Sequence, residues 1–196
     1  MNLPNKLTVL RIFLVPVFMI LMIAPIFPES EEMWLRIVAA FIFIVTSITD
    51  MLDGKIARKY NLITNFGKFM DPLADKFMVF GALLSILYRF DYIRPAFIWV
   101  SMIIMFRELA VTSVRLLACG SDGVVIAASM LGKIKTVTQI ICICTILLEP
   151  VVFCWFKPFA EWHILSYITM AAAAVMTIWS GADYIKNYWK YITPNE

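Results

Sequence analysis

The stretch Asp50-Met-Leu-Asp-Gly-Lys-Ile-Ala-Arg-Lys-Tyr-Asn-Leu-Ile-Thr-Asn-Phe-Gly-Lys-Phe-Met-Asp-Pro-Leu-Ala-Asp75 sets four aspartates in the frame Asp50-x2-Asp53-Gly54-x2-Ala57-Arg58-x8-Gly67-x3-Asp71-x3-Asp75. Steps of three and four residues return to one face of a helix. Asp50, Asp53, Gly54 and Ala57 therefore share a stripe with Arg58 at its margin, and Gly67, Asp71 and Asp75 share a stripe on the following helix. Small residues on the first stripe leave room for a ligand, and Gly67 permits close backbone approach. Two facing rows of carboxylates offer hard oxygen donors suited to two divalent cations, Mg2+ or Mn2+. Such a pair of ions equips a site for displacement at a phosphoryl group. The plainer alternative makes Asp71-Pro72 a helix N-cap with proline at the first helical position, and Asp50 and Asp53 charges left at a membrane border. Ionisable groups at membrane depth are costly and by default functional, which favours the first reading.

Outward from this frame the chain is apolar. Of 196 residues, 62% are hydrophobic and 16% charged, and the mean hydropathy is +0.84. A soluble domain is excluded by that balance, and a single all-helical membrane domain over residues 1–196 is expected. Apolar stretches fall near Leu7 to Phe27, Trp34 to Thr49, Leu73 to Tyr88, Phe97 to Leu117, Ile134 to Trp155 and Ile164 to Trp179. A span takes about 20 apolar residues, so the second and third must continue into the aspartate frame. The expected fold is an all-α integral membrane bundle of six transmembrane helices with an N-terminal interfacial segment. The first stretch lacks a small-residue cleavage site and is interrupted by Pro16 and Pro25, so it is expected to stay in the mature chain.

Charge sets the orientation. With both termini on one side, that side holds every lysine and arginine except Arg36, Arg89, Arg94 and Lys157. The positive-inside rule then places the termini and the aspartate frame in the cytoplasm. The net charge of +3 is read as topology and attraction to anionic headgroups, and no nucleic-acid motif is present. Cys119, Cys142, Cys144 and Cys154 lack zinc-site spacing and are expected to be small buried apolar side chains. His163, the single histidine, falls in an outer loop, on the wrong face for the carboxylates. Trp34, Trp155, Trp162, Trp189, Tyr184, Tyr188 and Tyr191 sit near segment ends, where aromatic belts form.

The aspartate frame matches at every position the signature of the CDP-alcohol phosphotransferases, and the chain is identified by resemblance as a member of that family. Asn2-Leu-Pro-Asn-Lys-Leu-Thr-Val-Leu-Arg11, Phe106-Arg-Glu-Leu-Ala-Val-Thr-Ser-Val-Arg115 and Ala127-Ala-Ser-Met-Leu-Gly-Lys-Ile-Lys-Thr-Val-Thr138 resemble the bacterial branch acting on glycerol 3-phosphate. The resemblance implies transfer of a phosphatidyl group from CDP-diacylglycerol to sn-glycerol 3-phosphate in a bacterial cytoplasmic membrane. It also implies two divalent cations, Mg2+ or Mn2+, on Asp50, Asp53, Asp71 and Asp75, with Asp75 as the base, and a homodimer. Gly54, Ala57, Arg58 and Gly67 would meet the cytidine nucleotide and its pyrophosphate. Asn5, Thr8 and Arg11 either border that nucleotide or form an ordinary interfacial stripe. Arg107, Arg115, Lys133 and Lys135 are candidates for the acceptor's phosphate, arginine as a fork and lysine as a point charge; their plainer reading is topology alone. A sister transferase using another alcohol (serine, inositol phosphate or phosphatidylglycerol) would share the frame. A divalent-cation transporter would need the acids but not Gly54, Arg58 and Gly67.

Overall fold

The computed structural model describes residues 2–24, 31–60, 64–122, 129–156 and 162–189. Among them lie six helices: α1 (Leu3–Ile23), α2 (Glu32–Lys59), α3 (Asn65–Arg89), α4 (Arg94–Asp122), α5 (Met130–Val152) and α6 (Ile164–Asn187). No strand occurs among the described residues. Five helices are long and apolar enough to cross a membrane: α1, α2 over Glu32–Leu52, α4 over Arg94–Leu117, α5 and α6. The third differs. It has 25 residues, but Lys68, Asp71, Asp75 and Lys76 fill its first half and shorten its apolar run.

The N-terminal interfacial segment expected ahead of the first span is continuous with it: α1 is helical from Leu3, with Pro4 in the opening turn, where a missing N–H costs nothing. α2 has 28 residues, about 42 Å of helix at about 1.5 Å per residue, against a hydrocarbon core of about 30 Å. Its last turns, which carry Asp50 and Asp53, thus extend the span, as the short apolar run required. α3 does not begin at Asp71-Pro72. Thr64 is its N-cap, accepting a hydrogen bond from the Gly67 amide, and Pro72 lies inside the helix. The capping alternative for Asp71 is thereby removed, and Asp71 and Asp75 both stand on a formed helix.

The chain divides into two compact units, one of Met1–Arg94 with Ile143–Ile164 and another of Pro95–Cys142 with Leu165–Glu196. In the first, Val15, Phe18 and Met22 of α1 pack with Leu35, Ala39 and Phe43 of α2 and with Ala74, Met78, Ala82 and Ile86 of α3. The Phe18 and Phe43 rings meet with centroids 6.0 Å apart. Small residues bring the backbones together, as membrane helices require when lipid is as apolar as leucine. Gly81 is the extreme case: a Cβ there would lie 2.8 Å from Val15 Cγ1 and 3.2 Å from Met19 Sδ. Hydroxyls of Thr46, Ser47 and Ser85 donate to the carbonyl one turn back, which satisfies them without water. Phe13, Phe41, Trp99, Phe106 and Trp179 are exposed, an arrangement suited to lipid rather than water.

At the start of α2, Arg36 donates to Glu32 Oε1 from Nη2 at 2.9 Å and to the Ile146 carbonyl at 3.3 Å. Its guanidinium lies 4.0 Å from the centroid of the Phe90 ring. His163 has φ 49° and stacks on Tyr92 with centroids 3.9 Å apart. Burial lowers the His163 pKa from the ordinary histidine value. This cluster sits fourteen positions before Asp50 on α2, about 21 Å along the axis, so the histidine belongs to the end of the unit away from the carboxylates. Trp34, Trp155, Trp162 and Trp189 are exposed near helix ends. Among the cysteines, Cys142 is buried, but Cys154 is exposed beyond the end of α5. That corrects the uniform expectation of burial; the Cys119 side chain lies outside the described residues.

Substituting Gly81→Val is expected to destabilise the protein by about 1–3 kcal/mol, because the new side chain enters space held by the β-branched, rotamer-restricted Val15. Thermal unfolding in detergent checks this.

Candidate active site at the aspartate frame and the basic cluster

α1 presents Asn5, Thr8 and Arg11 on one face, and all three are buried. The alternative of an ordinary interfacial stripe does not describe them, since each is turned into the first unit. Arg11, fully buried, forms an ion pair from Nη1 to Asp50 Oδ1, whose side chain is 35% exposed. Thr8 Oγ1 donates to Asp71 Oδ1 at 2.7 Å and lies 3.1 Å from the Pro4 carbonyl. One hydroxyl proton cannot serve both acceptors at full strength, and the shorter contact, to a carboxylate, dominates. Three residues apart on one helix, Thr8 and Arg11 thus hold one aspartate from each stripe.

The start of α3 is tied to the same face. Thr64 Oγ1 donates to Asn5 Oδ1 at 3.1 Å while accepting from the Gly67 amide at 3.0 Å. A Cβ on Gly67 would stand 3.1 Å from Asn5 Oδ1 and 3.3 Å from Thr64 Oγ1. Glycine here makes room for α1 and the cap. Asp75 follows Asp71 by one turn on the same face and is half-buried. The side chains of Asp53, Ala57 and Arg58 lie outside the described residues. Among the described residues, no three acidic, histidine or cysteine side chains are grouped to hold a metal ion. The donors that are described, carboxylates and hydroxyl, are nonetheless all oxygen and match hard divalent cations.

In the second unit the candidate cations are distributed over α4 and α5. Arg107 Nη2 donates to Ser180 Oγ at 2.7 Å, and Arg115 Nε donates to Tyr184 Oη at 2.9 Å. Eight residues apart on α4, they point to one face and meet α6. Lys135 Nζ pairs with Glu108 Oε1, which Arg107 Nη1 also approaches at 3.3 Å. Lys133 is exposed. Glu108 and Ser180 were not singled out in the sequence, and Tyr184, expected in an aromatic belt, is instead buried, with its hydroxyl turned to Arg115. An acid next to an arginine within an apolar run was the available signal for Glu108. Ser180 and Tyr184 lie beyond Trp179, where the apolar run ends but α6 continues to Asn187.

The family described as CDP-alcohol phosphatidyltransferase matches residues 1–179. A protein of Bacillus subtilis (strain 168) named CDP-diacylglycerol–glycerol-3-phosphate 3-phosphatidyltransferase is 45% identical over 197 residues, covering 96% of each chain. A Mycobacterium tuberculosis (strain ATCC 25618 / H37Rv) protein named probable phosphatidylglycerophosphate synthase is 37% identical, covering 94% of this chain and 80% of its own. A Haemophilus influenzae protein bearing the same name as the Bacillus one is 34% identical, over 94% of this chain and 92% of its own.

Thr8→Val removes the donor to Asp71 while keeping the shape, and is expected to lower kcat/KM about tenfold or more, since a hydrogen bond to a charged group contributes about 1.5–3 kcal/mol. Thr8→Ser should stay within a few-fold of the parent. Steady-state kinetics of the two variants side by side check the pair.

Proposed function

The chain belongs to the CDP-alcohol phosphatidyltransferase family, and on that premise we propose that it transfers the phosphatidyl group from CDP-diacylglycerol to sn-glycerol 3-phosphate, releasing CMP and giving phosphatidylglycerol phosphate. The observation that carries the reading is the complete aspartate frame, two of whose acids are held by Thr8 and Arg11, in a chain 45% identical over nearly its whole length to a protein named for this reaction.

Each residue then has a task. Asp75 takes the proton from the acceptor's attacking hydroxyl. The resulting oxygen bonds to the phosphorus next to the lipid as the bond from that phosphorus to the CMP oxygen breaks. Arg58 counters charge on the pyrophosphate, while Gly54, Ala57 and Gly67 keep the nucleotide's approach narrow but open. Asn5, Thr8 and Arg11 hold α1 against the donor's head and fix the direction of Asp50 and Asp71. Asp50, Asp53, Asp71 and Asp75 would hold two divalent ions, Mg2+ or Mn2+, which when bound neutralise the departing pyrophosphate. Arg107, Arg115, Lys133 and Lys135 bind the phosphate of glycerol 3-phosphate by charge-assisted hydrogen bonds.

α3 completes a six-span, single-domain membrane protein in a bacterial cytoplasmic membrane, with its termini and aspartates in the cytoplasm, as the distribution of lysine and arginine supports. The protein acts as a homodimer, and the acyl chains of the donor stay in the bilayer.

Purified protein supplied with CDP-diacylglycerol, Mg2+ or Mn2+ and a panel of alcohols is expected to form a lipid product only with glycerol 3-phosphate. A product built on serine, inositol phosphate or phosphatidylglycerol would move the chain to a sister activity. In the same assay Asp75→Asn should lower kcat by about 10^2–10^4, the usual worth of a general base, while binding of CDP-diacylglycerol measured separately changes little. Equal loss of binding and turnover would make Asp75 a ligand of the donor complex first.

A further inference from the structure

The acceptor cluster contains an acid that the transfer chemistry does not call for. Glu108 lies on α4 among the cations proposed to bind phosphate, and its Oε1 takes Lys135 Nζ from α5 and Arg107 Nη1 from its own helix. Exposure of the three side chains is 13% for Glu108, 6% for Lys135 and 10% for Arg107. Two buried cations side by side repel one another, and each is costly without a counter-charge. A single carboxylate oxygen lowers both costs and draws the two heads to one point. Arg107 is oriented from its other side as well, by Ser180 Oγ at 2.7 Å. Its Nε is buried and has no hydrogen-bond partner among the described residues, so a donor of the same guanidinium remains for an anion.

We propose that Glu108 is a positioning residue for the acceptor: it does not touch glycerol 3-phosphate, but by holding Lys135 and Arg107 together it sets the geometry in which they grip the acceptor's phosphate. This rests on the assignment of Arg107 and Lys135 to that phosphate. The role is distinct from charge neutralisation, which any nearby acid would supply, because it depends on where the Oε1 atom stands.

Steady-state kinetics with each substrate varied in turn test it, using Glu108→Gln, Glu108→Asp and Lys135→Gln. Glu108→Gln should raise the KM for glycerol 3-phosphate about tenfold or more, with kcat and the KM for CDP-diacylglycerol within about twofold. Glu108→Asp keeps the charge and so leaves no cation unpaired, which preserves folding where the glutamine variant does not fold. It withdraws the oxygen by one methylene and should give an intermediate KM for glycerol 3-phosphate. A parental or lower KM in either variant overturns the inference, as does an equal rise in both KM values. Lys135→Gln separates the two levels: if it raises the acceptor KM and the Glu108 variants do not, Glu108 alone is misassigned. If Lys135→Gln also leaves that KM unchanged, the phosphate assignment falls and the inference with it.

Discussion

The pairing of Arg11 with Asp50 is the contact on which the first unit is organised. A fully buried guanidinium in a membrane helix is tolerated only with a counter-charge, and Asp50 at the far end of α2 provides one. Breaking such a pair by removing one partner leaves an uncompensated buried charge, which costs more than the pair's net worth. α1 is consequently tied to α2 where the carboxylates are, and Thr8 and Asn5 extend the tie to α3 through Asp71 and Thr64. Apolar packing through Gly81 and the alanines sets how close the helices come. The polar face of α1 sets which residues face one another.

The second unit solves a related problem with different partners. There the cations outnumber the acids, and hydroxyls of α6 share the load: Ser180 takes Arg107 and Tyr184 takes Arg115, whose guanidinium also lies 5.4 Å from the Tyr184 ring centroid. Gln139 donates to Thr177 one turn deeper. Aligned polar pairs of this kind satisfy donors and acceptors that lipid cannot. They also leave the arginines aimed rather than splayed, which matters for a planar fork that recognises phosphate by geometry.

Much of this was legible from residue spacing. The steps of three and four in the aspartate frame placed Asp50 and Asp71 on helices that extend the second and third apolar runs, and the shortness of those runs explained why they had to extend. Helix starts were less legible: Asp71-Pro72 looks like a cap, yet Thr64 performs that task seven residues earlier because its hydroxyl finds both the Gly67 amide and Asn5. Tertiary partners were least legible. Asn5, Thr8 and Arg11 share a face on any helical reading, but sequence does not say whether that face meets headgroups or aspartates. Glu108 is the least legible, because an acid beside an arginine in an apolar run reads as charge balance until its partners are located.

α2 is held by an arginine at each end: Arg36 grips its own first turn and the Ile146 carbonyl, and Arg11 grips Asp50 near the last turns. Between these two points the helix has no freedom to slide along its axis past its neighbours in the unit. Its axial position against its neighbours is therefore a property of the protein rather than of the surrounding lipid. When the bilayer thins or thickens, the mismatch must be taken up by tilt of the unit or by deformation of the lipid around it, at a cost of fractions of a kcal/mol per Å. The carboxylates then keep their register with one another while their height relative to the headgroups changes, which makes membrane thickness a variable the enzyme feels at its substrate's entry and not in its chemistry.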